Sequence, residues 1–198
     1  MILDRLQSQL AFIREVDRLK CIFRQTILMD KSRRENDAEH SWHLALMAVL
    51  LAEHAREPID VARVVRMVLI HDLVEIDAGD TFCYDEEGAK DKAEREERAA
   101  ERIFGMLPED QAAEFRALWD EFEAMDTPES RFAASLDRLQ PLMLNAYTHG
   151  AGWRRHGIHA DQVIERNAHI RDGSQALYEE SIRLIENAVA QGDLKPAR

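Results

Sequence analysis

The chain is short of cysteine, of basic charge, of long apolar runs and of strand signals, and each shortage excludes something. Its two cysteines, Cys21 and Cys83, fit neither a metal-ligand spacing nor a disulfide framework, so nothing asks for an oxidising compartment. Lysine and arginine together number 26 against 38 aspartates and glutamates, a net charge of −12. That balance argues against binding extended nucleic acid, which needs clustered cations. It leaves room for a single nucleotide, whose phosphate a metal and a few local cations can hold. The longest apolar stretch, Leu44 to Ala52, falls well short of the ~20 residues that span a bilayer. The N-terminus, Met-Ile-Leu-Asp-Arg, mixes acid and base and lacks the basic-then-apolar order of a signal peptide. No membrane partner is expected, and the cytoplasm is the default. Internal repeats, low-complexity tracts and long linkers are also missing, so the 198 residues read as one domain with room for a sizeable core.

What is present is helical. Leu6, Leu10, Phe12, Ile13, Val16, Leu19 and Phe23 recur at helical spacing and predict a helix over residues 3–24. Asn36 with Glu39 three residues on resembles a capping box opening a helix to about Arg56, and Asp60 can cap the next one. Residues 79–88 read as a polar loop, residues 90–107 as a charged helix, and Pro108 as the start of another. Thr127-Pro128-Glu129 is a helix start with proline in the first turn. Helices over 161–171 and from Ser174 to about Gln191 complete the set.

Within this pattern, His71 and Asp72 end the apolar run that begins at Val61. A histidine and a carboxylate at the edge of a buried segment need a reason to be desolvated, and a divalent cation supplies one. The pair gains weight from His40, in Ala-Glu-His40-Ser-Trp-His43, and from Asp137, in Ser-Leu-Asp137-Arg-Leu, each inside its own apolar helical pattern. Taken singly, His40 and His43 read as core histidines, Asp137 as a partner of Arg138 or Arg131, and Asp77 and Asp80 as helix-end and loop carboxylates. Taken together, His40, His71-Asp72 and Asp137 on consecutive core-like helices are best explained by a metal. Glu75 lies one turn beyond His71 and can look into the same cavity.

The order His40, His71-Asp72, Asp137 resembles that of the HD-domain metal-dependent phosphohydrolases. Arg34-Glu-Asn-Asp-Ala-Glu-His40-Ser and His71-Asp-Leu-Val-Glu75-Ile-Asp-Ala-Gly-Asp80 are similar to the 5′-deoxynucleotidase branch, with the likeness running from about Leu19 to Asp137. The resemblance implies an all-α fold, a single HD-domain bundle of roughly eight or nine helices. Its metal-binding core would span about 19–150 and its C-terminal helices 160–191. It implies one divalent cation (Mn, Co, Fe, Ni, Zn or Mg) held by His40, His71, Asp72 and Asp137. Glu75 would transfer a proton, and Asp80 would meet a sugar hydroxyl. Where those deoxynucleotidases carry an aromatic residue against the ribose 2′ position, this chain has Thr26, preceded by Gln25 and Arg24. Arg24 and Gln25 are accordingly the candidates for the substrate, with Arg24 or Lys20 offsetting phosphate charge.

The implied reaction is hydrolysis of (deoxy)nucleoside 5′-monophosphates. Two-metal HD phosphodiesterases and oxygenases take extra histidines between the His-Asp pair and the distal aspartate, and no histidine occurs here between His71 and Asp137. A phosphodiesterase or another small phosphoester hydrolase is the runner-up. The competing class is a non-catalytic helical protein with a structural metal, using the acidic stretch 85–101 and residues 119–122 as partner surfaces. A homodimer is expected, from the resemblance and from two apolar stripes: Phe115, Leu118, Trp119 and Phe122, and Leu177, Tyr178, Ile182, Leu184 and Ile185.

Overall fold

The first helix stops short of its apolar pattern. In the computed structural model, which describes residues 2–85 and 87–198, α1 runs Ile2–Val16 and gives way to a 3₁₀ turn, Asp17–Cys21. Strand β1, Phe23–Ile27, then pairs antiparallel with β2, Arg34–Asn36, through an irregular register that matches Phe23 to Asn36 and Ile27 to Arg34. The expected helix over 3–24 is therefore wrong beyond Val16. The run Phe23-Arg-Gln-Thr-Ile27 contains the β-prone Phe23, Thr26 and Ile27 but shows no apolar–polar alternation, so nothing marks it as a strand against a helical background. The consequence is functional, since Arg24, Gln25 and Thr26 sit on a strand.

Asn36 ends β2 and caps α2, Asp37–Leu51; its side chain accepts from the Glu39 amide while Glu39 reaches back to the Asn36 amide. Asp60 caps α3, Val61–Ile70, through the amides of Ala62 and Arg63. The chain tightens into a 3₁₀ turn at His71–Val74 before α4, Glu75–Ala78, so His71 and Asp72 stand at a helix end as the sequence suggests. Gly79, at φ +76°, ends α4 in a conformation that glycine adopts without strain. Helices α5, Lys92–Phe104, and α6, Glu109–Ala124, lead to the long α7, Pro128–Tyr147, opened by the Thr127–Ser130 capping box. Glu86, inside the expected loop and the expected acidic surface, lies outside the described residues.

Helix α8, Ala151–His156, was not expected; Gly150 and Gly157, both at positive φ, bound it. The helix expected over 161–171 is broken into α9, Ala160–Asn167, and the single turn α10, Ile170–Gly173, before α11, Gln175–Ala190. Among the described residues the architecture is all-α apart from the β1–β2 hairpin and an isolated bridge between His159 and Lys195. One apolar cluster runs from Phe12 to Leu194, with α7 at its centre. Among the described residues no helix is long and apolar enough to cross a membrane.

Both stripes that suggested a dimer face this core. Leu118, Trp119, Phe122, Leu177, Leu184 and Ile185 are buried, and Phe115, Tyr178 and Ile182 pack against them. Trp119 and Phe122 are thereby also withdrawn as a partner surface. The exposed apolar side chains lie elsewhere: Leu3, Leu6, Leu10 and Ile13 on α1, and Trp42, Leu46, Val49 and Leu50 on α2.

The position of α7 depends on close backbone approach by α10. A Cβ added at Gly173 would stand 2.3 Å from the Arg131 carbonyl oxygen and 2.3 Å from Ser135 Oγ. Backbone cannot yield as a flexible side chain can, so Gly173→Ala is expected to cost about 1–3 kcal/mol, the usual range for overpacking. A lowered denaturation midpoint checks this, and an unchanged midpoint would show that α10 shifts freely.

Candidate metal centre and active site

Eight segments converge on one cavity of about 200 Å³: β1, the His71–Val74 turn with α4, the loop from Asp80, α5, α6, α7, α8 and α9. Its lining includes Arg24, Gln25, Thr26, His71, Asp72, Glu75, Asp80 and Asp137. His40 lies just behind, fully buried, with Nε2 at 3.0 Å from Asp137 Oδ1. The expected site residues are therefore brought together, with one exception. Lys20 is exposed and pairs with Asp17, away from the lining, so it offsets no phosphate charge there.

Hydrogen bonds fix which nitrogen of each histidine faces the cavity. Gln140 Nε2 donates to Glu35 Oε1 at 2.6 Å, which leaves Gln140 Oε1 to accept from His40 Nδ1–H at 3.0 Å. His71 Nδ1–H donates to the Val68 carbonyl at 2.9 Å. In both rings the Nε2 lone pair is left pointing inward. His71 Nε2 is buried without a hydrogen-bond partner, 3.1 Å from Asp72 Oδ1 and 3.7 Å from Asp137 Oδ1. Two lone pairs facing two carboxylates across 3.0–3.7 Å repel unless a proton or a cation lies between them. Donor atoms of His40, His71 and Asp72 lie within 4.8 Å of one another, and Asp137 reaches both histidines, a set that fits a divalent cation.

The charges respond to this crowding. Burial pushes the His71 imidazole down, but Asp72 and Asp137 overcome it and raise it to about 8. Burial opposes ionisation of Asp137, yet Arg138, His40 and His71 hold it well below the usual carboxylate range. Glu75 goes the other way: burial, then the charges of Asp72 and Asp37, push its carboxyl well above the ordinary value. Burial likewise raises Asp80. Arg24 is the cation among these acids, with Nη1 at 2.9 Å from Asp72 Oδ2 and 3.2 Å from Asp37 Oδ1.

Three participants were not singled out from the sequence. Asp37, pushed up to about 7 by burial and by Asp72, is fully buried with Oδ2 unpartnered, and its carboxylate comes within 4.8 Å of those of Asp72 and Glu75. Glu35 and Gln140 orient His40, and Thr26 donates to Glu35 at 3.1 Å, joining β1 to the same network. Gln140 Nε2 also lies 3.3 Å from His43 Nδ1, which gives His43 a supporting place one step removed from the cavity. The spacing that betrays Gln140 is its position three residues after Asp137, on the same face of α7. Pro141 adds a further local effect: it has no amide to offer the Asp137 carbonyl four residues back.

The HD domain family matches residues 16–178. Curated relatives named 5′-deoxynucleotidase HDDC2 are 31% identical over 138 residues in Homo sapiens and 30% identical over 138 residues in Bos taurus. Each of these alignments covers 69% of this chain and 66% of the relative, so the chain matches just under two thirds of their length. A solved structure from Magnetospirillum magnetotacticum MS-1, described as a "Predicted metal-dependent phosphohydrolase", is 54% identical and superposes with a TM-score of 0.92, covering 98% of this chain and all of that one.

Proposed function

Because the chain belongs to the HD domain family, we propose that it is a metal-dependent phosphohydrolase that releases phosphate from (deoxy)nucleoside 5′-monophosphates. The observation that carries this reading is the inward-facing His71 Nε2, buried and without a hydrogen-bond partner between Asp72 and Asp137 in a cavity that also holds Glu75 and Arg24. One divalent cation, held by His40, His71, Asp72 and Asp137, completes the site, and the mixed nitrogen and oxygen donors suit Mn, Co, Fe, Ni, Zn or Mg. Such a cation, when bound, acidifies water and neutralises phosphate charge. The chain's own groups do the rest. Arg24 holds Asp72 in place and offers positive charge at the cavity wall. Glu75, whose carboxyl is pushed up by its burial and its acidic neighbours, supplies the proton that the departing 5′-oxygen needs. Asp80 accepts from a sugar hydroxyl, and Gln25 offers amide contacts beside it. The unpaired thiols of Cys21 and Cys83 agree with a cytoplasmic setting.

A panel of ribo- and deoxyribonucleoside monophosphates, cyclic nucleotides, diphosphates and non-nucleotide phosphomonoesters tests this reading. Monophosphates are expected to be cleaved. Thr26, which stands where the resemblance expects an aromatic residue, is small and engaged with Glu35, so any deoxy preference is expected to stay below about tenfold, or ~1.4 kcal/mol. Exclusive hydrolysis of phosphodiesters would overturn the assignment.

The homodimer is kept on different grounds from the two stripes now found in the core. Trp42, Leu46, Val49 and Leu50 form one exposed face of α2, and Leu3, Leu6, Leu10 and Ile13 another on α1. Faces of this kind commonly pair across a two-fold axis. Light scattering is expected to give twice the 22.8 kDa chain mass, falling to the monomer in Trp42→Glu/Leu50→Glu. A wild-type monomer across the micromolar range would refute it.

A further inference from the structure

One wall of the cavity carries positive charge that the phosphate chemistry leaves unused. Arg138 follows Asp137 on α7, and Arg166 stands in the last turn of α9; both line the cavity with Tyr84, Asn145 and Asn167. The Nε of each guanidinium is buried with no acceptor from the protein, and so is Nε2 of the neighbouring His169. Arg138 reaches one carboxylate, that of Asp137, at 3.3 Å. That carboxylate is already shared with His40 and His71. Arg166 makes no ion pair among the described residues, although the chain carries 38 acidic side chains. Burial, and then the charge of Arg138, push the Arg166 guanidinium below its ordinary value.

A cation in the last turn of a helix has a bland explanation, the partial negative charge of the helix C-terminus. A solvated side chain would satisfy that. Arg166 is instead half-buried against a second arginine, where Cys83, Asp137 and Tyr84 offset only part of the cost and an anion between the two guanidinium groups would offset more. The contrast with Arg24 is informative. Arg24 is committed to Asp72 and Asp37, whereas Arg138 and Arg166 keep donors free. Guanidinium groups suit the planar, two-point recognition of phosphate and carboxylate.

We infer that Arg138 and Arg166 form a second anion-binding subsite, so that among phosphomonoesters the protein prefers those carrying another phosphate or carboxylate besides the group removed. This rests on the phosphomonoesterase reading and narrows its substrate class.

Matched pairs of probes test it: adenosine 3′,5′-bisphosphate against AMP for a second phosphate, and 3-phosphoglycerate against glycerol 3-phosphate for a carboxylate. Steady-state kinetics on the metal-loaded protein are read beside calorimetric binding to metal-loaded Glu75→Gln, which holds ligand without consuming it. In at least one pair the doubly anionic member is expected to have a KM and Kd at least about tenfold lower, the worth of one charge-assisted contact. Arg166→Gln is expected to erase that preference, and Arg166→Lys to retain part of it. The inference is overturned if neither pair shows a preference, or if Arg166→Gln weakens both members of a pair equally. The two readings fail separately. Hydrolysis of AMP without any preference removes the subsite and leaves the phosphomonoesterase. Arg166-dependent binding of the bisphosphate without hydrolysis of any monoester removes the phosphomonoesterase and leaves the subsite.

Discussion

His71→Ala and Asp137→Ala, prepared with the metal that supports wild-type turnover, are expected to lose that metal and to hydrolyse phosphomonoesters no faster than the background. The two residues enter from different elements, the turn after α3 and the middle of α7, and each takes one of four proposed donors. Neither substitution should unfold the chain. Asp137 is flanked by buried Phe132, Leu136, Leu139 and Leu142, which hold α7 in the core without it, and removing the His71 imidazole costs one hydrogen bond, the one it donates to the Val68 carbonyl. Elemental analysis read beside circular dichroism separates metal loss from unfolding. Gln140→Ala provides the graded control. It removes the acceptor that fixes His40 Nδ1–H, and a lost orienting partner of a metal ligand costs about 10–100-fold in affinity, less than a lost ligand. Wild-type occupancy in both His71→Ala and Asp137→Ala would sink the assignment of the donor set.

Much of this site was legible in the sequence because its information is local. His71, Asp72 and Glu75 sit within five residues, and helical periodicity alone turns them to one side. Asn36 and Glu39 announce the helix that carries His40, and Thr127-Pro128 announces the helix that carries Asp137. What was not legible depends on distant contacts. Asp37 reads as an ordinary first-turn carboxylate, favoured there by the helix dipole, and only the fold buries it against Arg24, Asp72 and Glu75. Glu35 and Gln140 are joined across 105 positions, which no spacing rule reaches. The β1–β2 hairpin escaped because two short strands carry little pattern, yet it brings Arg24 and Thr26 to the cavity. The apolar stripes of α6 and α11 were real, but period alone does not say whether a stripe meets its own core or a partner. Here both meet the core.

Glu75→Gln is expected to keep its metal and fold while losing about 10²–10⁴-fold in turnover on nucleoside 5′-monophosphates, the usual worth of general acid–base help. Glutamine preserves size and hydrogen bonding in a buried place that already disfavours the carboxylate, so stability should change little. A loss of rate alone would not separate proton transfer from support of the site, because Glu75 lies beside Asp37 and Asp72. The leaving group makes that separation. A nucleoside 5′-alkoxide cannot depart at neutral pH without a proton, whereas p-nitrophenolate can. If Glu75 gives the proton, the substitution should cost the full factor on AMP or dAMP and about tenfold or less on p-nitrophenyl phosphate. Equal losses on both substrates would make Glu75 a positioning residue for the acidic cluster, and undiminished turnover on AMP would leave the proton to water.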